Sequence, residues 1–185
     1  MAVVMPFLEI ITRTCKRPAL LAANEASIRQ QTDGDYVHTI LEDQVGLGIG
    51  QAQMQLAGYA SQLRGRYVWI LDDDDMCTRP GLVAELKAIA AQDGEPELIM
   101  MRMDHGPRGI LPDDARWQGP PVCGLIGVSA FVTRRDVFVR HRAAWLSARY
   151  ASDFDFIAAA YAAAERVSWF DVVASRVQQI GMGVA

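Results

Sequence analysis

Strand-like and helix-like patterns alternate along residues 6–103, which restricts the folds open to this chain. Apolar, β-prone runs predict strands, and runs with apolar residues on one helical face predict helices. The predicted strands are 6–12, 36–42, 66–71 and 96–103, and the predicted helices are 18–31, 50–64 and 80–92. Strands that alternate with helices of this length form βαβ units, in which helices cover both faces of a mostly parallel sheet. We therefore predict an α/β fold of the Rossmann-like type.

The second half of the chain is less regular. Residues 104–121 are rich in glycine, proline and aspartate and predict a long loop, which in compact domains is commonly a binding loop or a lid. The predicted elements after it are a strand over 125–133, a helical stretch over 135–150, an alanine-rich helix over 152–165 and a strand over 167–173. No repeat, low-complexity segment or linker interrupts the sequence, so we expect a single domain over residues 1–185.

The charge and cysteine content of the chain argue against several classes of partner. The 185 residues carry a net charge of −4, so no general basic field favours a nucleic-acid polymer or an anionic membrane surface. The three cysteines are widely separated and form no CxxC pair, which favours a cytoplasmic protein without disulfides or a zinc knuckle. Pro6 and Glu9 interrupt the N-terminal apolar run, so we expect neither a transmembrane segment nor a signal peptide.

Four consecutive aspartates, residues 72–75, follow a predicted strand in the stretch YVWILDDDDMCTRP. Ligands of open parallel sheets bind beyond the carboxyl ends of the strands, which is where we expect these residues. Two unit charges about 4 Å apart repel by about 4 kcal/mol at an effective dielectric of 20, so four carboxylates in a half-buried crevice need a counter-cation. Oxygen ligands suit Mg²⁺ or Mn²⁺, usually shared with a diphosphate. The alternative is a solvated acidic turn with one aspartate as a helix cap.

Three stretches in a fixed order resemble the nucleotide-sugar-binding half of GT-A glycosyltransferases, particularly family-two-like members. They are EIITRTCKRPALLAANEASIRQQT, HTILEDQ and LRGRYVWILDDDDMCTRPGLVAEL. The resemblance implies a GT-A-type sheet flanked by helices, with a donor-binding half at about 6–104 and an acceptor and catalytic half at about 105–185. It also implies a metal-dependent glycosyltransferase that takes a nucleotide-diphospho-sugar, UDP-linked by expectation, and an unknown acceptor hydroxyl.

The same resemblance implies roles for individual residues. Nucleotide contacts are implied for Thr12, Arg13, Arg17, Asp43, Asp72 and Asp73. Asp43 would accept a hydrogen bond from the imide N–H of a uracil- or thymine-type base, and its alternative role is that of a turn residue at the end of a strand. Asp72 and Asp74 form an Asp-x-Asp pair for Mn²⁺ or Mg²⁺, with Asp74 the expected direct ligand. Asp73 and Asp75 form a second, overlapping pair, which leaves the register open.

A second acidic pair, Asp153 and Asp155, begins the predicted helix over 152–165. One of these residues or Ser152 could serve only as the helix N-cap, where the helix dipole favours negative charge. The stretch is also similar to the Glu-Asp motif of the family, whose aspartate is the general base of inverting transfer, although Ser152 stands where the glutamate usually sits. A positioned carboxylate of this kind contributes about 10²–10⁴-fold to the rate. The resemblance therefore implies that Asp153 is catalytic and that transfer inverts the anomeric centre.

Other residues and functions stay open at this stage. His105, Trp117 and Asp155 are candidates for contacts with the sugar or the acceptor, since His105 lies at the mouth of the long loop and Trp117 within it. One alternative function is that of a non-catalytic protein that binds nucleotide or carbohydrate with a degenerate transferase fold. Another is that of a nucleotidyltransferase, against which the absence of glycine from TRTCKRP counts.

Overall fold

The computed structural model describes residues 5–147 and 151–178 as a set of eight strands and five helices. In chain order these are β1 (Leu8–Thr14), α1 (Pro18–Ile28), β2 (Tyr36–Glu42), α2 (Ile49–Tyr59), β3 (Tyr67–Ile70), β4 (Asp75–Cys77), α3 (Leu82–Gln92), β5 (Leu98–Asp104), β6 (Ile110–Leu111), β7 (Phe131–Arg134), α4 (Arg135–His141), α5 (Ser152–Ala163) and β8 (Val167–Val177). Strand β2 has its predicted bounds, and the other elements of the first half lie within a few residues of theirs. The sequence did not predict β4 and β6.

The strands form one mixed sheet in the order β2-β1-β3-β7-β5-β8-β4, with β6 paired to β5. The predicted α/β architecture is confirmed, but the sheet contains parallel and antiparallel pairs. Strands β1 and β2, β1 and β3, and β5 and β8 pair in parallel, whereas β7 is antiparallel to both β3 and β5. No α-helix lies between β5 and β7, so β7 starts at the edge where β5 ends and must run back through the sheet.

Helices cover both faces of the sheet, as predicted. Buried side chains of α2, α4 and α5 form one core with Val68 and Ile70 of β3. Buried side chains of α1 and α3 form a second core with Tyr67 and Trp69 on the opposite face. All four residues of β3 are therefore buried, which confirms that the apolar run before the aspartates is a central, doubly covered strand.

The predicted strand over 125–133 is wrong in its first part. Residues Val128–Ala130 form a 3₁₀ turn, and the strand begins only at Phe131. The carbonyl of Ser129 accepts a hydrogen bond from Nε1 of Trp69, and Gly127 packs so closely on Met103 that a Cβ there would meet its sulfur. Both contacts bend the chain out of extended geometry. The predicted helix over 135–150 is likewise shorter, because α4 ends at His141 and a 3₁₀ turn follows over Arg142–Leu146; residues 148–150 lie outside the described part.

The fold brings the ends of β1 and β3 together. These strands are adjacent and parallel, with Ile11 opposite Ile70, so that Arg13 and Asp72 lie level just beyond the paired residues. Strand β2 lies on the other side of β1 and ends beside it. The residues that follow β1, β2 and β3 therefore meet at one edge of the sheet. No helix in 5–147 or 151–178 has the length and apolarity needed to cross a membrane.

Candidate active site

Two arginines, one near the end of β1 and one immediately before α1, neutralise part of the acidic run. Arg13 donates from Nε to Oδ1 of Asp72 at 2.8 Å and from Nη2 to Oδ2 at 2.6 Å. Arg17 donates to both carboxylate oxygens of Asp73, with Nε at 3.0 Å from Oδ2, and reaches Asp74 at 3.3 Å. Such paired, charge-assisted bonds fix the carboxylates as well as offsetting their charge. The run is not a solvated turn, since Asp73 and Asp75 are 0% and 4% exposed.

The backbone of the acidic run is held by Asn24, a residue that sequence reasoning did not single out. Its side-chain amide nitrogen lies 3.2, 3.0 and 2.9 Å from the carbonyl oxygens of Leu71, Asp72 and Asp75. Its side-chain oxygen lies 3.0 Å from the hydroxyl of Thr12. The signal in the sequence is an asparagine within an apolar helix, where its low helix propensity requires a compensating role. Asn24 ties α1 to the site.

Replacing Asn24 by alanine is expected to destabilise the protein by about 2–3 kcal/mol, because it removes the buried hydrogen bonds that its amide donates to the carbonyl groups of Leu71, Asp72 and Asp75. Glu25→Ala on the same helix removes only a partly exposed ion pair with Arg29 and should change stability by less than about 0.5 kcal/mol. Urea titration of both variants measures the difference. Equal effects of the two substitutions would mean that Asn24 does not support the acidic run.

The four aspartates have different protonation tendencies. Burial and the charge of Asp72 raise the pKa of Asp74 to about 6. Burial and the charges of Asp74 and Asp72 raise the pKa of Asp75 to about 8, so Asp75 holds a proton at neutral pH. Burial also raises the pKa of Asp73, although Thr14 and Arg17 act in the opposite direction. Asp74 is therefore the member whose negative charge is least compensated by the protein while its side chain remains partly exposed.

Asp153, predicted as a base, lies in the same electrostatic environment as the acidic run. Burial alone would lower the pKa of Arg13, but the charges of Asp72 and Asp153 hold it above its ordinary value. Burial and the charge of Asp72 raise the pKa of Asp153, against the effect of Arg13. Arg13 also lies over the ring of Trp145, 5.6 Å from its centroid. The fold thus brings together two acidic clusters that are far apart in sequence, and Arg13 interacts electrostatically with both.

Asp43 is a loop-organising residue in this structure. Its Oδ1 accepts hydrogen bonds from the backbone N–H groups of Val45 at 3.0 Å and Gly46 at 2.8 Å, and its Oδ2 accepts one from Leu47 at 2.7 Å. These bonds lower the pKa of Asp43, and the bond from Gly46 has the largest effect. Lys16 fastens the same loop by donating to the carbonyl of Val45 at 2.9 Å. This arrangement is the turn role weighed above; contact with a base stays a prediction.

The other predicted contact residues have different surroundings. Thr12 is fully buried, and its hydroxyl lies 2.9 Å from the carbonyl of Leu71. It therefore holds the residue that precedes the acidic run rather than facing solvent. Trp117 packs edge-on against Trp169 and under the guanidinium of Arg102, 4.4 Å from the ring centroid. In the part of the chain that the structure describes, Nδ1 of His105 is buried without a hydrogen-bond partner. Asp155 lies in the first turn of α5, two residues beyond Asp153.

The donor set of the acidic run limits how it could hold a cation. Among residues 5–147 and 151–178, no three His, Cys, Asp or Glu side chains are arranged as a complete metal site. Both oxygens of Asp72 already accept bonds from Arg13, which leaves Asp74 as the principal donor. Mg²⁺ and related ions commonly bind one or two carboxylates together with substrate phosphates, so this set suits an ion shared with a diphosphate rather than a closed protein cage.

Comparison with known proteins identifies the fold. No protein-family profile and no curated protein sequence matches the chain. Among solved structures, residues 1–349 of S. aureus TarS in complex with UDP superpose with a TM-score of 0.68 at 14% identity, over 92% of this chain and 60% of that one. The mannosyltransferase PcManGT from Pyrobaculum calidifontis, in complex with GDP-Man and Mn²⁺, gives 0.63 at 16% identity, over 94% and 57%. A197 from STIV gives 0.52 at 12% identity, over 89% and 82%.

These similarities confirm the predicted GT-A-type fold. The chain shares the fold of TarS 1–349 and of PcManGT, and its acidic run, Arg13, Arg17 and Asp153 lie together at one edge of the sheet. It spans about 60% of the length of TarS 1–349 and of PcManGT.

Proposed function

We propose that this chain is a glycosyltransferase that moves a sugar from a nucleotide-diphospho-sugar, UDP-linked by preference, to an acceptor hydroxyl with inversion. The observation that carries the proposal is the meeting of two acidic clusters beside Arg13, one at residues 72–75 and one at Asp153. Inverting transfer needs a group that manages charge on the leaving diphosphate and a separate base for the acceptor. The division into a donor half at about 6–104 and an acceptor half at about 105–185 belongs to this proposal.

A divalent cation, Mn²⁺ or Mg²⁺, held by Asp74 with support from Asp72, would neutralise the charge that develops on the leaving diphosphate. The raised pKa of Asp74 supports this assignment, because burial and Asp72 make its negative charge costly without a cation. The surroundings of Asp73 and Asp75 favour the Asp72–Asp74 pair over the Asp73–Asp75 pair as the cation ligands. Asp73 is hydrogen-bonded to Arg17 and Thr14, and Asp75 is buried and protonated.

The protein's own residues hold and orient the reactants. Arg17, kept in place by Asp73, presents positive charge beside the diphosphate position, and Arg13 fixes the carboxylate of Asp72. Asp153 accepts the proton that the acceptor hydroxyl loses as its oxygen attacks the anomeric carbon. Its raised pKa makes it a stronger base than an ordinary aspartate while Arg13 favours its ionised form. We also propose a cytoplasmic location, where Cys15, Cys77 and Cys123 would remain free thiols.

Calorimetric titration with UDP, with and without Mn²⁺, tests the donor side of this proposal. We expect Mn²⁺ to strengthen UDP binding, and Asp74→Asn to weaken the Mn²⁺-dependent binding by at least about 10- to 100-fold. Asp93→Asn is a matched control, because it makes the same change at an exposed position that contacts Ser168 near the amino end of β8. Binding of no nucleoside diphosphate by the wild-type chain would overturn the proposal, and full Mn²⁺-dependent binding by Asp74→Asn would overturn the metal assignment.

A further inference from the structure

Strand β2 is one edge of the sheet, and it is long and regular. It pairs in parallel with β1 over all seven residues from Tyr36 to Glu42 without a bulge. The opposite edge, β4, is only three residues long and is capped by α1. There, Asn24 donates to the carbonyl of Asp75 at 2.9 Å, and the backbone N–H of Cys77 donates to the hydroxyl of Ser27 at 3.0 Å. The two edges of the sheet are therefore protected differently.

The backbone groups of β2 that point away from β1 can be identified from its register. The N–H of Leu8 donates to the carbonyl of Asp35 at 3.2 Å, and the N–H of Asp43 donates to the carbonyl of Thr14 at 2.9 Å. In a parallel pair, alternate residues bond the same neighbour, so the odd-numbered residues of β2 face β1. The N–H and C=O groups of residues 36, 38, 40 and 42 point outward. No hydrogen bond within 5–147 and 151–178 reaches them.

Natural proteins protect such edges with proline, lysine, bulges or very short strands. Strand β2 has none of these features, and Glu42 is its only formally charged residue at neutral pH. His38 is turned inward, with Nε2 2.8 Å from the hydroxyl of Thr12. Ile40 is 39% exposed, and the loop after the strand exposes Val45 and Leu47 by 66% and 63%. The edge therefore has the composition of a strand that pairs with another strand.

We propose that two copies of this chain associate by antiparallel pairing of their β2 strands about a twofold axis at Thr39. In this register Tyr36 lies opposite Glu42 and His38 opposite Ile40, so every outward N–H and C=O of residues 36, 38, 40 and 42 gains a partner. The pairing is self-complementary, as a twofold interface requires. Once two β2 strands have paired, neither chain has a free β2 edge, so the assembly stops at two chains. No like charges lie opposite one another, since Glu42 faces Tyr36. The backbone of a second β2 strand therefore complements the outward groups of the first.

Sedimentation equilibrium measures the mass of the 185-residue chain in solution and thereby tests this pairing. The wild-type chain should have the mass of two chains. Ile40→Pro should have the mass of one, because proline removes an outward N–H while leaving the bonds to β1 in place. Ile40→Thr keeps that N–H and a β-branched side chain and should remain a dimer. A wild-type chain that stays monomeric at the highest concentration it tolerates would overturn the proposal, as would Ile40→Pro that is folded and still dimeric.

Disulfide trapping tests the register, and it does not depend on Ile40→Pro folding. With the three native cysteines replaced by serine, Thr39→Cys places two thiols opposite each other in a non-hydrogen-bonded pair about 4.5 Å apart at Cα, which a disulfide can bridge. We expect Thr39→Cys to be converted almost fully to covalent dimer on oxidation. Val37→Cys should not crosslink, because the two residues 37 would lie about 13 Å apart along the strands. Equal crosslinking of the two variants, or none in Thr39→Cys, would contradict the proposed register.

Discussion

Replacing Asp153 by asparagine is expected to lower the rate of sugar transfer by about 10²–10⁴-fold while leaving the affinity for UDP and Mn²⁺ unchanged. The substitution keeps the size of the side chain and its place in the first turn of α5, but it removes the group that we propose takes the proton of the acceptor. The residues proposed to bind the donor are on other elements and keep their contacts with one another. The loss should therefore appear in kcat rather than in nucleotide binding.

The pH dependence of the rate gives a second readout for the same residue. Because burial and the charge of Asp72 raise the pKa of Asp153, the wild-type rate should rise with pH over a range above the ordinary pKa of aspartate, about 3.9. The base is active only when it has lost its proton, so the rate falls as the pH drops through that raised pKa. Measured with saturating Mn²⁺, which would keep Asp74 in its ionised form, Asp153→Asn should lack this limb.

Glu165→Gln is a suitable control for Asp153→Asn, because it removes an exposed carboxylate just beyond the other end of α5. It should retain full activity. The two substitutions also separate the proposed enzyme from a non-catalytic binder. A wild-type chain that binds UDP with Mn²⁺ but shows neither transfer nor slow hydrolysis of any nucleotide-diphospho-sugar would support the binder. Hydrolysis unaffected by Asp153→Asn would mean that Asp153 is not the base.

The second large effect concerns stability, because Asp75→Asn is expected to stabilise the protein increasingly as the pH rises from about 4 to about 8. Burial and the charges of Asp74 and Asp72 raise the pKa of Asp75 to about 8 in the folded protein, against about 3.9 in the unfolded chain. Between these values the folded state binds the proton and the unfolded state does not. The free energy of unfolding of the wild type therefore falls across this range.

The full shift corresponds to at most about 6 kcal/mol at 1.36 kcal/mol per pKa unit. Asparagine is uncharged throughout this pH range and keeps the shape of the side chain. The free energy of unfolding of Asp75→Asn should therefore not fall in this way as the pH rises. Urea titrations of the wild type and Asp75→Asn at about pH 5 and about pH 9, with EDTA present, measure the difference. The gap between the two proteins should be small at the lower pH and large at the higher one. A gap of the same size at both would mean that Asp75 is not protonated in the fold.

The first half of the fold could be predicted because its patterns are local. The bounds of β2 and the burial of β3 depend on runs of a few apolar residues, and the place of the acidic run depends on the strand before it. The mixed sheet could not be predicted in the same way. The direction of β7 depends on how the chain travels along one edge of the sheet between β5 and β7, and the bend before β7 depends on Trp69 and Met103, which are distant in sequence.

The same distinction between local patterns and long-range contacts applies to the candidate site. Its acidic members were visible as runs of one residue type, but their partners were not assigned. The pairing of Arg13 with Asp72 follows from the register of β1 against β3, and the support from Asn24 follows from the packing of α1 beneath the run. Asp43 illustrates the opposite case. Its position after a strand was visible, whereas its three bonds to the following loop depend on the conformation of Gly46 and its neighbours.

The two arginines that hold Asp72 and Asp73 have a consequence for the cleft before any ligand binds. Because guanidinium groups offset two of the carboxylates and Asp75 keeps its proton at neutral pH, the negative charge that the protein leaves least compensated in the acidic run is that of Asp74. The shape of the cleft is maintained by the bonds that Arg13 and Arg17 make with the acidic run. If the chain acts as we propose, the nucleoside diphosphate and the ion would leave together after each turnover, and the next donor and ion would bind to side chains that are already in place.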